Sequence, residues 1–332
     1  MRPLILVTGG AGFIGSNIVA HFAATGARVV VCDRLRDKDS GKWRNLAKHP
    51  VDDIVHPDEV LAWVDEHGAD LQAVVHMGAI SATTASDVDA IIQTNFRLSK
   101  SLWQHCAVHG VPFVYASSAA TYGNGDLGYD DRQDLGHLRQ LRPLNPYGYS
   151  KALFDIWVAQ AVANGAVAPP QWAGLKFFNV YGPNEYHKGG MRSVAAQLFE
   201  RIRDGQPVRL FRSHHPDYQD GGQMRDFVYV ADCVAVVDWL LATPSVSGLF
   251  NVGSGQARTF LDLAHAVFAA LDQEPKVEFI DTPAEIRAHY QYFTEAKLDK
   301  LRRAGFKAPM TSLEDGVRDY VQTYLSQPDW YR

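Results

Sequence analysis

One glycine-rich turn limits what this chain can fold into more than any other stretch does. Gly9-Gly10-Ala11-Gly12-Phe13-Ile14-Gly15 follows the apolar run Leu4-Ile5-Leu6-Val7 and opens an apolar-periodic segment from Ile14 to Phe22, in the order strand, turn, helix. Glycines let the backbone turn tightly and approach a pyrophosphate, whose charge then rests on free N–H groups at the positive end of the helix. A second apolar run, Arg28-Val29-Val30-Val31-Cys32, ends in Asp33. That is about the 20-residue distance at which a carboxylate meets an adenosine ribose. The two features together predict a dinucleotide site.

Asp33 repels a 2′-phosphate and so favours NAD, whereas Arg34, Arg36, Lys38 and Lys42 crowd the same loop and favour NADP. The expectation adopted is NADP bound through Arg34 and Lys42, with NAD as the alternative if the loop is simply solvated.

The pattern continues through a short run at Asp52-Asp53-Ile54, a helix near Pro57 to His67, a strand Gln72 to His76, a helix from about Asp87 to His109 and a strand Pro112 to Ala116. This alternation predicts an α/β fold, a doubly wound parallel sheet of Rossmann type. Ligands in such sheets sit beyond the carboxyl ends of the strands. The glycine turn, Asp33, Met77-Gly78-Ala79 and Ser117-Ser118 all lie there, so they converge on one crevice.

A chain of 332 residues exceeds the roughly 250–300 residues at which single cores stop growing. Two lobes are expected: residues 1–176 with about 225–252 returning to them for the dinucleotide, and a smaller, discontinuous carboxyl-terminal lobe, 177–224 and 253–332, for substrate. A net charge of −5 argues against nucleic acid as a partner. No run approaches a membrane span and Met1-Arg2-Pro3 leads straight into a strand, so a cytoplasmic protein without membrane association is expected. Cys32, Cys106 and Cys233 stand apart in apolar surroundings, as reduced buried thiols do. His214, His215 and Asp217 have no second ligand cluster, and no metal site is expected.

Tyr147-Gly148-Tyr149-Ser150-Lys151 adds chemistry. A Tyr and a Lys four residues apart share a helix face, where an ammonium can stabilise a phenolate. Chance spacing on an ordinary helix is the competing reading.

The glycine turn through Asn17, the Tyr147/Lys151 pair, Ser118, and Phe178-Asn179-Val180-Tyr181-Gly182-Pro183 resemble the extended short-chain dehydrogenase/reductase family, and within it the ADP-heptose 6-epimerase branch. Tyr115 to Gly123, His187-Lys188-Gly189, Arg225 to Tyr229 and Tyr290 to Thr294 carry the narrower likeness. The resemblance implies an epimerase that oxidises and re-reduces a carbinol of an ADP-sugar with bound nicotinamide. Ser118, Tyr147, Lys151 and Lys188 are then catalytic, with Tyr147 and Lys188 exchanging protons in two substrate orientations.

By the same resemblance Gly9, Gly12, Phe13, Ile14, Gly15, Met77, Gly78, Ala79, Asn95 and Val180 face the cofactor, and Ser81, Asn179, Gly190, Gln197 and Phe211 face the sugar nucleotide. Arg225, and less strongly Arg212, suit its diphosphate, while Tyr290 suits its base. Three positions depart from the branch pattern: Met77 stands where it usually has Glu before Gly-Ala, and Gly190 and Gln197 stand where it usually has Ser or Arg and His, the last two putting the exact sugar in question. Hexose 4-epimerases share Ser118, Tyr147 and Lys151. A 4,6-dehydratase is disfavoured because Ala119-Ala120 stand where its acid pair belongs, and a noncatalytic scaffold is disfavoured by the intact triad. Homo-oligomerisation is expected of an extended family member.

Overall fold

A computed structural model of the chain describes residues 2–36, 38–283, 287 and 291–332. Seven parallel strands form the central sheet: β1 (Leu4–Thr8), β2 (Arg28–Cys32), β3 (Asp53–Val55), β4 (Leu71–His76), β5 (Phe113–Ser118), β6 (Trp172–Phe177) and, after three strands that lie elsewhere, β10 (Gly248–Val252). Their spatial order is β10-β6-β5-β4-β1-β2-β3, so the chain reverses direction across the sheet between β1 and β4. This is the predicted doubly wound sheet, and the crevice at its switch point is where ligands bind in such folds.

The strands read as unbroken apolar runs because both faces are covered. Alternation along β1 sends Leu4 and Leu6 to one side and Ile5 and Val7 to the other. Leu4 and Leu6 join Trp103, Phe154 and Val158 beneath helices α4 (Leu98–His109) and α6 (Pro146–Ala163). Ile5 and Val7 join Ile18, Val19 and Phe22 of α1 (Phe13–Ala24) and Val234, Val237 and Leu240 of α8 (Val230–Leu241).

The helix expected over Asp87 to His109 is continuous but not uniform. Val88–Ile92 and α4 flank a π-turn, Gln93–Arg97, a form that often marks functional positions.

Outside the main sheet, β9 (Met224–Tyr229) pairs with β7 (Asn179–Tyr181) and β11 (Ala257–Thr259), while β8 (Val208–Phe211) pairs with β12 (Val277–Ile280). Thus β9 leaves the main sheet, while α8 and β10 return to it. A third core joins α7 (Val194–Arg203) and α9 (Phe260–Ala270) to Tyr181, Phe227 and Phe13, tying this region to the start of α1.

Candidate active site

The glycine turn is packed too closely to admit side chains. Gly9 has φ +66°, and a Cβ there would lie 2.6 Å from the Gly78 nitrogen; one on Gly15 would lie 2.1 Å from the Gly9 carbonyl oxygen. Gly12 is the N-cap of α1 and no side chain caps it, so the first turn keeps N–H groups for an anion. Asp33 accepts from the Ala11 N–H at 2.9 Å and the Arg34 N–H at 2.7 Å. It also pairs with the Lys42 ammonium. Arg34 reaches Asp58 at 2.9 Å on the surface.

Behind the turn a chain of donors fixes Gly78. Ser99 donates to the Asn95 carbonyl at 2.7 Å, so its oxygen accepts from His76 Nε2 at 2.8 Å. His76 Nδ1 then accepts from the Thr8 hydroxyl at 2.6 Å, and Thr8 Oγ1 accepts from the Gly78 N–H at 3.1 Å. This requires a neutral ring, and burial, with a smaller push from Lys151, brings the His76 pKa down to about 3. Asn95 lies in the π-turn. Its side chain accepts from the Ile80 N–H at 2.8 Å and donates to Ser150 Oγ at 3.0 Å, and Ser150 donates to the Tyr147 carbonyl at 2.7 Å. Ser81, next in the loop, is exposed.

The sequence sets the Tyr147 helix firmly. Asn145 caps α6, accepting from the Gly148 N–H at 2.8 Å, and Pro146 occupies its first turn. A Cβ on Gly148 would lie 2.7 Å from the Ala120 carbonyl oxygen, so only glycine lets the helix approach the turn after Ser118 this closely. Ser118 ends β5, accepts from the Ala120 N–H at 3.1 Å and shares a side-chain hydrogen bond with Tyr147. Lys151 is buried one turn on, donating to the Ala116 carbonyl at 2.7 Å.

Burial raises the Tyr147 phenol above its ordinary value; the Ser118 bond opposes this and the Asp155 charge adds to it. Burial brings Lys151 down to about 8, opposed by Asp155. Desolvation, rather than the pull expected of Lys151, therefore dominates the Tyr147 phenol in this structure.

Lys188 lies on a 3₁₀ turn, Tyr186–Met191, kinked at Gly189. Its ammonium sits 5.4 Å from the centre of the Phe13 ring, at the start of α1. Burial lowers its pKa and Glu185 opposes that. Glu185 is fully buried; it accepts from the Ser193 N–H, from the Ser193 hydroxyl at 2.6 Å and from the Tyr320 hydroxyl at 3.0 Å. Ahead of it Asn184 adopts φ +73°. Gln197 donates to the carbonyls of Arg192 at 2.9 Å and Gly190 at 3.4 Å, so these two departures from the branch pattern touch each other.

Of the other expected site positions, Asn179 and Val180 begin β7, beside Phe227 and Val228 of β9. Arg225 is nearly buried, donates to the Met224 carbonyl at 2.8 Å and stacks over Phe260 at 5.6 Å. Asp226 accepts from the N–H groups of Ser254, Gly255 and Ala296. Phe211 ends β8, and exposed Arg212 lies 3.5 Å from Asp281. Tyr290 lies outside the described residues. On the 213–222 loop His215 meets Tyr218 edge-on and lies tilted against Tyr292, and among the described residues no three His, Cys, Asp or Glu groups converge as metal ligands. No described helix is long and apolar enough to cross a membrane. Burial pushes the Cys32 thiol up to about 12.

Residues 5–253 match the NAD dependent epimerase/dehydratase family. The chain belongs to that family. It is 52% identical to an ADP-L-glycero-D-manno-heptose-6-epimerase of Nitratidesulfovibrio vulgaris, over 98% of this chain and 99% of that protein. The Helicobacter pylori ADP-L-glycero-D-manno-heptose-6-epimerase superposes with a TM-score of 0.79 at 28% identity, covering 97% and 96% of the two chains. A Thermus thermophilus UDP-glucose 4-epimerase in complex with NAD superposes at 0.72 with 28% identity, covering 96% and 97%.

For a member of the epimerase/dehydratase family, several supporting residues escaped the sequence reading. Asn45 donates to the carbonyls of Ala11 at 2.9 Å and Asn184 at 3.1 Å and lies 3.2 Å from His187 Nδ1, joining the glycine turn to the Lys188 turn. Nothing in the sequence marks it. Asp155 on the Tyr147 helix and Lys176 on β6 form a buried pair, and their signal was visible: a lysine inside the apolar run Trp172–Phe177 and an acid one turn past Lys151.

Proposed function

We propose that this protein is an isomerase that inverts C6 of an ADP-linked heptose, oxidising the carbinol to a ketone and reducing it from the opposite face. A nicotinamide dinucleotide held on the glycine turn would supply the hydride acceptor and donor for both halves. Tyr147 exchanges the proton of the sugar hydroxyl while Ser118 hydrogen-bonds the reacting oxygen, and Lys151 orients the nicotinamide ribose. Lys188 handles the proton when the sugar sits in its second orientation. The observation that carries this reading is the Lys188 ammonium over Phe13, which supplies a second proton-carrying group at the glycine turn.

The cofactor read here is NADP. Lys42 already offsets the Asp33 charge that would otherwise repel a 2′-phosphate, and Arg34 stands beside it. Gly9, Gly12, Phe13, Ile14 and Gly15 take the pyrophosphate, Met77, Gly78, Ala79 and Asn95 flank the adenosine and nicotinamide halves, and Val180 backs the nicotinamide. Residues 1–176 and 225–252, joined by Val180, carry this work. The sugar site is shaped by Ser81 and Arg225 from these residues and by Asn179, Gly190, Gln197, Phe211, Arg212 and Tyr290 from segments 177–224 and 253–332. The working form in this reading is a cytoplasmic homo-oligomer, which light scattering on the purified protein tests.

Proton NMR of protein incubated with ADP-D-glycero-D-manno-heptose should show the C6 epimer accumulate, with UDP-glucose unchanged. Turnover of UDP-glucose alone would overturn the substrate. Denaturing the protein and identifying the released nucleotide tests the cofactor: NADP(H) is expected, and NAD alone would show that Asp33 governs the pocket.

A further inference from the structure

The least explained charges lie between the Tyr147 helix and β6. Asp155 and Lys176 are paired at 2.8 Å with side chains 0% and 1% exposed. Such a pair gives up the hydration of both ions, and apolar residues of similar size often serve folding as well or better. Its partners are all beside the site. Asp155 also accepts from Tyr115 OH at 3.0 Å and Ser117 Oγ at 2.7 Å. Lys176 also donates to Thr121 Oγ1 at 2.7 Å, and Thr121 donates to the Ser118 carbonyl at 2.8 Å. Lys151 donates to the Ala116 carbonyl at 2.7 Å. Three successive residues at the end of β5 are therefore gripped: Ala116 by Lys151, Ser117 by Asp155, and Ser118 through Thr121 by Lys176.

We infer that Asp155 and Lys176 are positioning residues for the hydride-transfer site, holding Ser118 against Tyr147 and setting the charge around Tyr147 and Lys151. The inference rests on the proposed roles of Tyr147 and Ser118. The Asp155 charge raises both Tyr147 and Lys151. The other titratable groups around them are neutral His76 on β4, Tyr115 on β5, Tyr122 in the following turn and Lys176 on β6, whose ammonium lies 4.9 Å from the Tyr122 ring.

The test is the pair of variants Asp155→Asn and Asp155→Asn/Lys176→Met, compared with Tyr147→Phe. Removing the Asp155 charge lets the Tyr147 phenol lose its proton more easily. In Asp155→Asn the acidic limb of kcat/KM should move to lower pH and kcat should fall at least tenfold. The double variant buries no unpaired charge, so it should fold, as circular dichroism and thermal melting will check. Its kcat should still fall at least tenfold with KM within threefold of the parent. A folded double variant with parental kcat and parental pH profile would overturn the positioning role. If Tyr147→Phe itself stays active, the reading of the site fails instead, so the two failures are distinguishable.

Discussion

The two groups proposed to carry protons are held in opposite ways. Tyr147 stands in the first turn of an 18-residue helix that is capped by Asn145 and pressed through Gly148 onto the turn after Ser118. Lys188 stands on a six-residue 3₁₀ turn with a kink at Gly189, entered through left-handed Asn184 and pinned by the buried carboxylate of Glu185. The first position is a consequence of core packing, and moving it would disturb β5, α6 and the hydrophobic cluster beneath them. The second depends on a few polar contacts. Residues near it can change without disturbing the core, and this chain departs from the branch pattern there, at Gly190 and Gln197. Substrate choice is expected to be adjusted on the Lys188 side, and the redox chemistry to be fixed on the Tyr147 side.

The largest effect should come from the rigid side. Tyr147→Phe removes the titrating oxygen while keeping the ring, so turnover should fall by about two to four orders of magnitude. Circular dichroism should be unchanged. Activity within threefold of the parent would show that the rigid side does not carry the principal acid/base.

Lys188→Met comes next and probes the other half. Net epimerisation should fall about a hundredfold with the cofactor still bound, because the glycine turn and Lys151 are untouched. A raised KM with kcat preserved would make Lys188 a binding group only, the pattern expected when ground and transition states lose the same interaction. The comparison between the two sides would then collapse.

The same contrast explains what could be read from the sequence. The sheet was legible because parallel strands buried on both faces leave apolar runs, and glycines admitted at close approaches leave spacing. Asp33, Ser118, Tyr147 and Lys151 were legible because each sits at a fixed distance from such a run or turn. What escaped depends on contacts across long separations. Asn45 meets Asn184 across 139 positions and Glu185 meets Tyr320 across 135. The π-turn at Asn95 escaped because an apolar pattern of 22 or so residues does not reveal one extra residue inside a helix. The suppression of the Lys151 pull on Tyr147 escaped because spacing places two groups on a face but says nothing of how deeply they are buried.

Glu185→Gln should have an intermediate effect and sharpens the account of the Lys188 side. The substitution keeps the shape but removes the charge that raises Lys188 against the lowering effect of burial. Lys188 should therefore lose its proton at lower pH, and the basic limb of the kcat profile should move down with it. Turnover at neutral pH should fall about tenfold, since one charge-assisted bond to Ser193 is weakened by about 1.5 kcal/mol. A basic limb that stays in place would mean that Glu185 shapes the turn without tuning Lys188.

The smallest effect is expected from Gln197→Ala. Gln197 is exposed on α7 and donates to the carbonyls of Arg192 and Gly190, so it steadies the turn that carries Lys188 from outside the core. Removing an exposed hydrogen bond of this kind costs about 0.5–1 kcal/mol. That amounts to about a two- to fivefold change, and if Gln197 contacts only the ground-state sugar nucleotide the change belongs in KM with kcat unaltered. Because no buried group loses a partner, the melting temperature should not move. A drop in kcat of tenfold or more would show that the Lys188 side of the site is as tightly built as the Tyr147 side, and that the polar contacts around Gly190 hold a reacting group in place.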